Sequence, residues 1–371
     1  MAMMSGYGLP FRQIKRKKWL ETLLLQELII SGYSKGLSCK RQLASALGES
    51  AMRTTLNVIL EVEKTKVLIF GGTGFVGRNL AKELVVNGYQ VYVVTRNRLK
   101  TANCLGNDVQ VIEWDNISPL SSISELPEID VVINLAGESI GNRRWSYSVK
   151  QEIMASRIRT TRAIVTAIND CIMQPSVLIN ASAVGYYGPR QDDMITELEK
   201  AGQDYLAEVC RDWENEAYKV QSDLTRVATI RIGVVLGNEG ALKRMVMPFK
   251  FYLGGPLGTG NQWLSWIHIQ DLTGLIRFVV EHQEITGPVN ATAPVPVRMR
   301  DFAKVLGEVL KRPSWLPVPE FLLKIALGQM AEMLLHGQRA VPEKILGAGF
   351  EFRFLELRLA LEDALGNRNC V

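Results

Sequence analysis

The residues with the plainest chemistry in this sequence are Gly71, Gly72, Thr73, Gly74, Phe75, Val76 and Gly77. Glycine at 72, 74 and 77 removes side chains from a turn, so that backbone N–H groups can touch a pyrophosphate and a helix can pack close to its strand. A second group, Thr95, Arg96 and Arg98, follows a later apolar run where a carboxylate for a ribose 2′-hydroxyl would stand. Hydrogen-bond donors and arginines there suit a 2′-phosphate instead, which points to NADP(H) over NAD(H); the alternative is arginines that serve only a surface loop. Asp115 is placed to meet an adenine amino group or to make an Asx turn. Asn134, Leu135, Ala136 and Gly137 close another apolar run, with Gly137 suited to close backbone approach and Asn134 equally suited to a turn.

Elements of defined type must hold these residues in place. The apolar run 67–70 reads as a strand buried on both faces, and 75–87 as an amphipathic helix ending at Gly88. The start of that helix supplies unpaired N–H groups and partial positive charge for phosphates. Further strands are expected at 90–95, 109–114, 130–135, 176–182 and 226–235, with helices at 146–170 and 203–221. Alternation of strand and helix predicts an α/β fold, a doubly wound parallel sheet of the Rossmann type, over 65–237. Past Gly237 the texture turns to Gly- and Pro-rich loops, with a helix at 269–282 and a strand at 288–291. Residues 238–298 are expected to border a cleft and complete the sheet domain, and 299–371 to form a small, mostly helical substrate-capping region.

The 371 residues carry a net charge of +5. Residues 1–60 hold nine Lys/Arg against three Glu, or +6, so the remainder is −1, without the basic footprint of a nucleic-acid binder. Residues 1–64 stand apart as a basic extension, with a cluster at 11–19 followed by an apolar stretch at 20–30. A surface or partner helix, an organelle transit segment, or sequence without a fold role all fit it. Five scattered cysteines lack metal-ligand spacing and favour a reducing compartment. No metal site and no membrane span is expected.

Together these pieces resemble the extended short-chain dehydrogenase/reductase superfamily, and more closely its atypical "epimerase family" branch, NAD-dependent epimerase/dehydratase-like, with a C-terminal domain of unknown function. The resemblance spans 66–365. It rests on the glycine turn, on Asn134-Leu135-Ala136-Gly137-Glu138-Ser139, and on Arg143-Arg144-Trp145. Ala183 to Gly188, Arg231 to Gly237, Leu253 to Gly258, Trp266 to Ile269 and Gly337-Gln338-Arg339 add to it. It implies NADP(H) contacts from the glycine turn, Thr95, Arg96, Leu135 and Ala136, and places Glu152 and Arg157 toward the cofactor. From the residues alone those two are ordinary helix charges, off a common stripe.

Ordinary members of that superfamily use Tyr-x-x-x-Lys on a helix, the lysine lowering the tyrosine pKa so that it can pass a proton. No tyrosine here has lysine four residues on; at the corresponding place stand Cys210 and Glu214. The candidates that remain are Ser182, to orient a substrate oxygen, and Tyr186, as a proton donor. Tyr187 reads as a binding or structural residue. Cys210 reads as a small core residue, His268 as a structural hydrogen-bonder, Asp271 as an N-cap or first-turn acid, and 254–260 as a lid or a plain connection. The expected function is NADP(H)-dependent hydride transfer on an unidentified small polar substrate, in the cytoplasm or an organelle stroma or matrix. Its rival is a non-catalytic NADP(H)-binding sensor or scaffold.

Overall fold

A computed structural model describes residues 64–366 except 99–100, 102–104 and 124–125; the basic extension lies outside the described residues. In chain order the strands are β1 (Lys66–Phe70), β2 (Gln90–Thr95), β3 (Val109–Glu113), β4 (Val131–Asn134), β5 (Val177–Ala183) and β6 (Met194–Ile195), then β7 (Arg226–Ile232), β8 (Val234–Leu236), β9 (Trp263–Leu264), β10 (Trp266–His268), β11 (Gly287–Ala291), β12 (Val297–Arg298) and β13 (Arg339–Ala340). The helices are α1 (Phe75–Val86), α2 (Tyr147–Asn169), α3 (Tyr205–Ala217), α4 (Gly240–Lys250), α5 (Ile269–Glu281), α6 (Met299–Leu310), α7 (Glu320–Leu327), α8 (Glu332–Leu335), α9 (Glu343–Gly347) and α10 (Leu357–Ala364).

Seven parallel strands form the main sheet in the order β11-β7-β5-β4-β1-β2-β3. The order reverses between β1 and β4, the switch point at whose carboxyl ends sheets of this kind open a crevice for a ligand. Alternation sorts each strand between two faces. Val67, Ile69, Val91 and Val93 pack against Leu80 and Leu84 of α1 and Leu272, Leu275 and Ile276 of α5. Leu68, Phe70, Tyr92 and Val94 pack on the other face against Ile164 and Ile168 of α2. Side-chain caps start three of the described helices: Ser146 accepts from the Val149 N–H, Asp204 from the Ala207 N–H and His268 from the Gln270 N–H.

A second core joins Leu242, Val246 and Phe249 of α4 to Trp266, to Phe302 and Leu306 of α6, and to Leu357 and Leu361 of α10. Residues 238–298 therefore divide between two cores: α5 and β11 complete the sheet, whereas α4 and Trp266 pack with the C-terminal helices. Where loops were expected after Gly237, α4 forms; its apolar stripe at 242, 246 and 249 outweighs Gly240 and Pro248. The single strand expected over 226–235 breaks at Gly233, where a Cβ would lie 2.6 Å from the Ser265 carbonyl oxygen. Beyond the break β8 leaves the sheet and pairs with β10.

Candidate functional site: an open cradle beside a closed ion pair

The glycine turn between β1 and α1 is built by close approaches. Gly71 sits at φ +79°, and a Cβ there would lie 2.7 Å from the Leu135 carbonyl carbon. A Cβ on Gly72 would meet Val93 at 2.6 Å, and one on Gly77 would meet the Gly71 oxygen at 2.4 Å. Gly74 differs: a Cβ there would meet only the Gly71 oxygen, at 3.4 Å. The protein tolerates a side chain at 74, so the bareness of that residue serves whatever enters from outside. Gly74 is the N-cap of α1 and no side chain caps the helix, leaving its first N–H groups for an anion. Thr73, Phe75 and Val76 complete the turn, with Phe75 packed beneath Gly237 and Gly240.

At the end of β2, Thr95 Oγ1 lies 2.9 Å from Thr101 Oγ1 and accepts from the Asn97 N–H, which fixes the turn. Arg96 and Arg98 are exposed and, among the described residues, make no hydrogen bond or ion pair. Asp115 follows β3 and binds the Ile117 and Ser118 N–H groups and the Ser118 hydroxyl. The Ser118 hydroxyl, then those N–H groups, hold its carboxyl below the usual carboxylate range. Oδ1 makes an Asx turn, while Oδ2, exposed to solvent, accepts from the Ser118 hydroxyl and keeps a further acceptor site.

Across the crevice, Asn134 is fully buried; its amide donates to Thr161 and Asn180, and its oxygen accepts from the Ala136 N–H. That network fixes the Leu135–Ala136–Gly137 bend against β1. Arg157 lies directly beneath the bend, with its guanidinium carbon 3.1 Å from where a Gly137 Cβ would be. It donates to the Glu138 and Ile153 carbonyls and covers the Trp213 ring at 5.0 Å. Burial pulls its pKa down, with Cys210, Tyr205 and Glu138 opposing. Glu152 is on the exposed side of α2, paired with Arg143 at 2.6 Å. The same Arg143 guanidinium lies 3.9 Å from Glu138, the residue that follows the bend.

The positions of the missing catalytic pair are closed. Glu214 is 3% exposed and holds Arg231 through two hydrogen bonds, of 2.9 and 2.8 Å. The Ser182 hydroxyl donates to Glu214 at 2.7 Å, so that its oxygen faces any further partner as an acceptor only. Arg231 also donates to the Tyr187 hydroxyl, which in turn donates to Asn290 at 2.6 Å. Burial pulls the Arg231 pKa down, and the Glu214 carboxylate more than reverses it. Burial pushes Tyr187 up to about 12, and Cys210, buried beside Glu214, up to about 11. A thiol so placed stays protonated near neutrality. Tyr186 is half-buried, its ring stacked on the Arg231 guanidinium at 3.5 Å. The polar residue missed from the sequence is therefore Arg231. Its signal was an arginine within the apolar run of β7, since a fully buried arginine requires a partner.

Three further residues or segments take structural positions. His268 caps α5, accepting from the Gln270 N–H, and its Nε2 lies 3.1 Å from Asp363. Asp271 sits in the first turn of α5, and its carboxylate receives the Arg353 and Phe354 N–H groups, tying in the C-terminal chain. Segment 254–260 is laced to 314–318 through Trp315 and Leu316 N–H to the Gly254 oxygen, Gly258 N–H to Val318 and Val318 N–H to Pro256. A Cβ on Gly255 would lie 2.0 Å from the Leu316 oxygen, so this segment is a packed connection and not a free lid. Among the described residues there is no cluster of acids, histidines and cysteines that could hold a metal ion, and no helix long and apolar enough to cross a membrane.

A Rossmann sheet with a glycine turn at its switch point defines a dinucleotide-binding fold. The chain belongs to the NAD dependent epimerase/dehydratase family, whose model matches residues 67–291; a model of a domain of unknown function, DUF1731, matches 318–364. Epimerase family protein YfhF of Bacillus subtilis is 42% identical over 308 residues, 82% of this chain and 99% of that one. The chloroplastic homolog of epimerase family protein SDR39U1 in Arabidopsis thaliana is 43% identical over 305 residues, 80% of this chain and 85% of that one. Among solved structures, human epimerase family protein SDR39U1 (isoform 2) with NADPH superposes with a TM-score of 0.74 at 34% identity, covering 82% of this chain and all of that one.

Proposed function

We propose that this chain is an NADP(H)-dependent oxidoreductase of the epimerase family, acting on a small polar substrate without the Tyr-x-x-x-Lys pair. The observation that carries the cofactor half is the unpartnered arginine pair at 96 and 98, facing solvent at the end of β2 where NAD enzymes place a carboxylate. The human relative solved with NADPH supports it. The glycine turn and the uncapped start of α1 would hold the pyrophosphate, and Arg96 and Arg98 the 2′-phosphate. Leu135 to Gly137, with Arg157 beneath, would support the nicotinamide end. When bound, the cofactor supplies hydride transfer.

The chain's own contribution is orientation and one proton. Ser182 offers an oxygen lone pair, its proton being held by Glu214, so it orients a substrate hydroxyl. Tyr186 carries the exchangeable proton, and Arg231 fixes its ring from below. A purified chain should bind NADPH more tightly than NADH and oxidise it in the presence of one carbonyl class. Tyr186→Phe turning over that substrate at the native rate removes the proton-donor role.

One observation favours a second reading, a non-catalytic NADP(H)-binding sensor or scaffold. Cys210 and Glu214, at the catalytic-pair positions, are both buried; the Cys210 thiol keeps its proton near neutrality, and Glu214 is engaged by Arg231 and Ser182. NADPH binding without turnover on a broad carbonyl panel selects this reading. The scattered cysteines support a reducing compartment for either one, and the chloroplastic homolog keeps an organelle beside the cytoplasm as its place.

A further inference from the structure

Helix α4 touches both walls of the crevice. At its N-terminal end Glu239 holds Arg78 through two hydrogen bonds of 2.8 Å, and the same guanidinium donates to the Thr73 carbonyl of the glycine turn at 2.6 Å. Phe75, at the start of α1, packs beneath Gly237 and Gly240, just before and at the start of α4. About one and a half turns further along α4, Arg244 donates to the Gly141 carbonyl and, at 2.7 Å, to the Asn142 side chain. Gly141 and Asn142 belong to the loop that leaves β4, the opposite wall. One helix from the capping core therefore grips the β1–α1 turn from its N-terminal end and the post-β4 loop from its middle.

We propose that α4 is a strap across the cofactor crevice, fastened by Arg78–Glu239 on one side and Arg244–Gly141/Asn142 on the other, and that NADP(H) enters and leaves only when it unfastens. This rests on the cofactor reading above. Both fastenings are side-chain contacts at or near the surface, each weak enough to break without unfolding either core. The second core behind α4 keeps the helix intact while it lifts.

A strap slows passage in both directions, whereas a residue that merely contacts the cofactor changes the off-rate alone. The test is stopped-flow NADPH fluorescence on the full chain, with on-rates from mixing and off-rates from a chase with excess NADP+. The variants are Glu239→Gln, Arg244→Ala and the double substitution. The double variant is expected to raise both rates about tenfold, leaving Kd within about threefold of the native value. Arg244→Lys, which keeps a donor to the loop, is expected to fall between native and Arg244→Ala. Unchanged rates in the double variant overturn the strap, as does a faster off-rate with an unaltered on-rate. Absence of NADPH binding by the native chain overturns the strap and the cofactor reading together. A melting curve on Arg244→Ala, a substitution at an exposed contact, confirms that the rates are those of a folded protein.

Discussion

The two ends of the crevice are built on opposite principles. At the β1–α1 turn and the end of β2 polar groups are left without partners: the first N–H groups of α1 are uncapped, and Arg96 and Arg98 face solvent. At the ends of β5 and β7 the charges are satisfied from within, with Glu214, Arg231, Ser182, Tyr187 and Asn290 forming one buried hydrogen-bonded chain. An unsatisfied donor at a surface is cheap to keep and ready for a ligand, whereas a buried charge persists only with its partner. One end leaves donors open to a ligand, and the other holds its charges within the fold, with Tyr186 and the Ser182 lone pair at its edge.

The sharpest way to break this contrast is to remove half of the closed pair. Glu214→Ala leaves Arg231 buried and uncompensated, and should reduce folding stability by about 3–5 kcal/mol, read by urea denaturation. A loss within experimental error would mean that water reaches Arg231 and that the site is open after all. At the other end, Arg96→Glu should leave the melting temperature alone and weaken NADPH binding about 100-fold, with NADH little affected. Equal effects on both cofactors would remove the 2′-phosphate assignment.

A pair of matched glycine substitutions sharpens the picture inside the cradle itself. Gly77→Ala forces a Cβ to 2.4 Å from the Gly71 oxygen and should lower stability by about 1–3 kcal/mol. Gly74→Ala meets nothing closer than 3.4 Å and should fold normally while losing NADPH affinity. If both lose stability alike, the turn is structural and not a receptor. The smallest effect concerns Cys210. Burial, with the Glu214 charge second, raises its pKa to about 11, so the folded chain holds this proton more tightly than the unfolded one. Its stabilising share is complete below the ordinary thiol range and fades as pH rises toward 11. At pH 8 iodoacetamide should modify the exposed Cys171 and spare Cys210, as peptide mass spectrometry would show.

The sheet was legible because β1, β2, β4 and β5 are short apolar runs bounded by turn residues, and a buried parallel strand has few other ways to read. The glycine turn was legible because strand, turn and helix followed in the required order. What escaped was long-range. Helix α4 was hidden because Gly240 and Pro248 resemble loop punctuation, and only packing on α6 makes its stripe pay. The Glu214–Arg231 pair joins α3 to β7, and no local pattern says that these two will meet. Segment 254–260 carries the composition of a lid, but its partner strand comes some sixty residues later. Asp115 was readable as two things; Oδ1 makes the turn, and Oδ2 keeps acceptor capacity toward solvent.

The Glu214–Arg231 pair also limits which single substitutions the chain can accept. A lysine at 214 alone would set two cations side by side in a space with no solvent to separate them, and would strip Ser182 of its acceptor. Replacing Arg231 first would strand Glu214 and release Tyr186 and Tyr187 together. Each single substitution at 214 or 231 therefore yields a chain less able to fold than the one it left. The pair thus works as a ratchet against piecemeal change: a lysine can be engineered at 214 only if 214 and 231 are exchanged together.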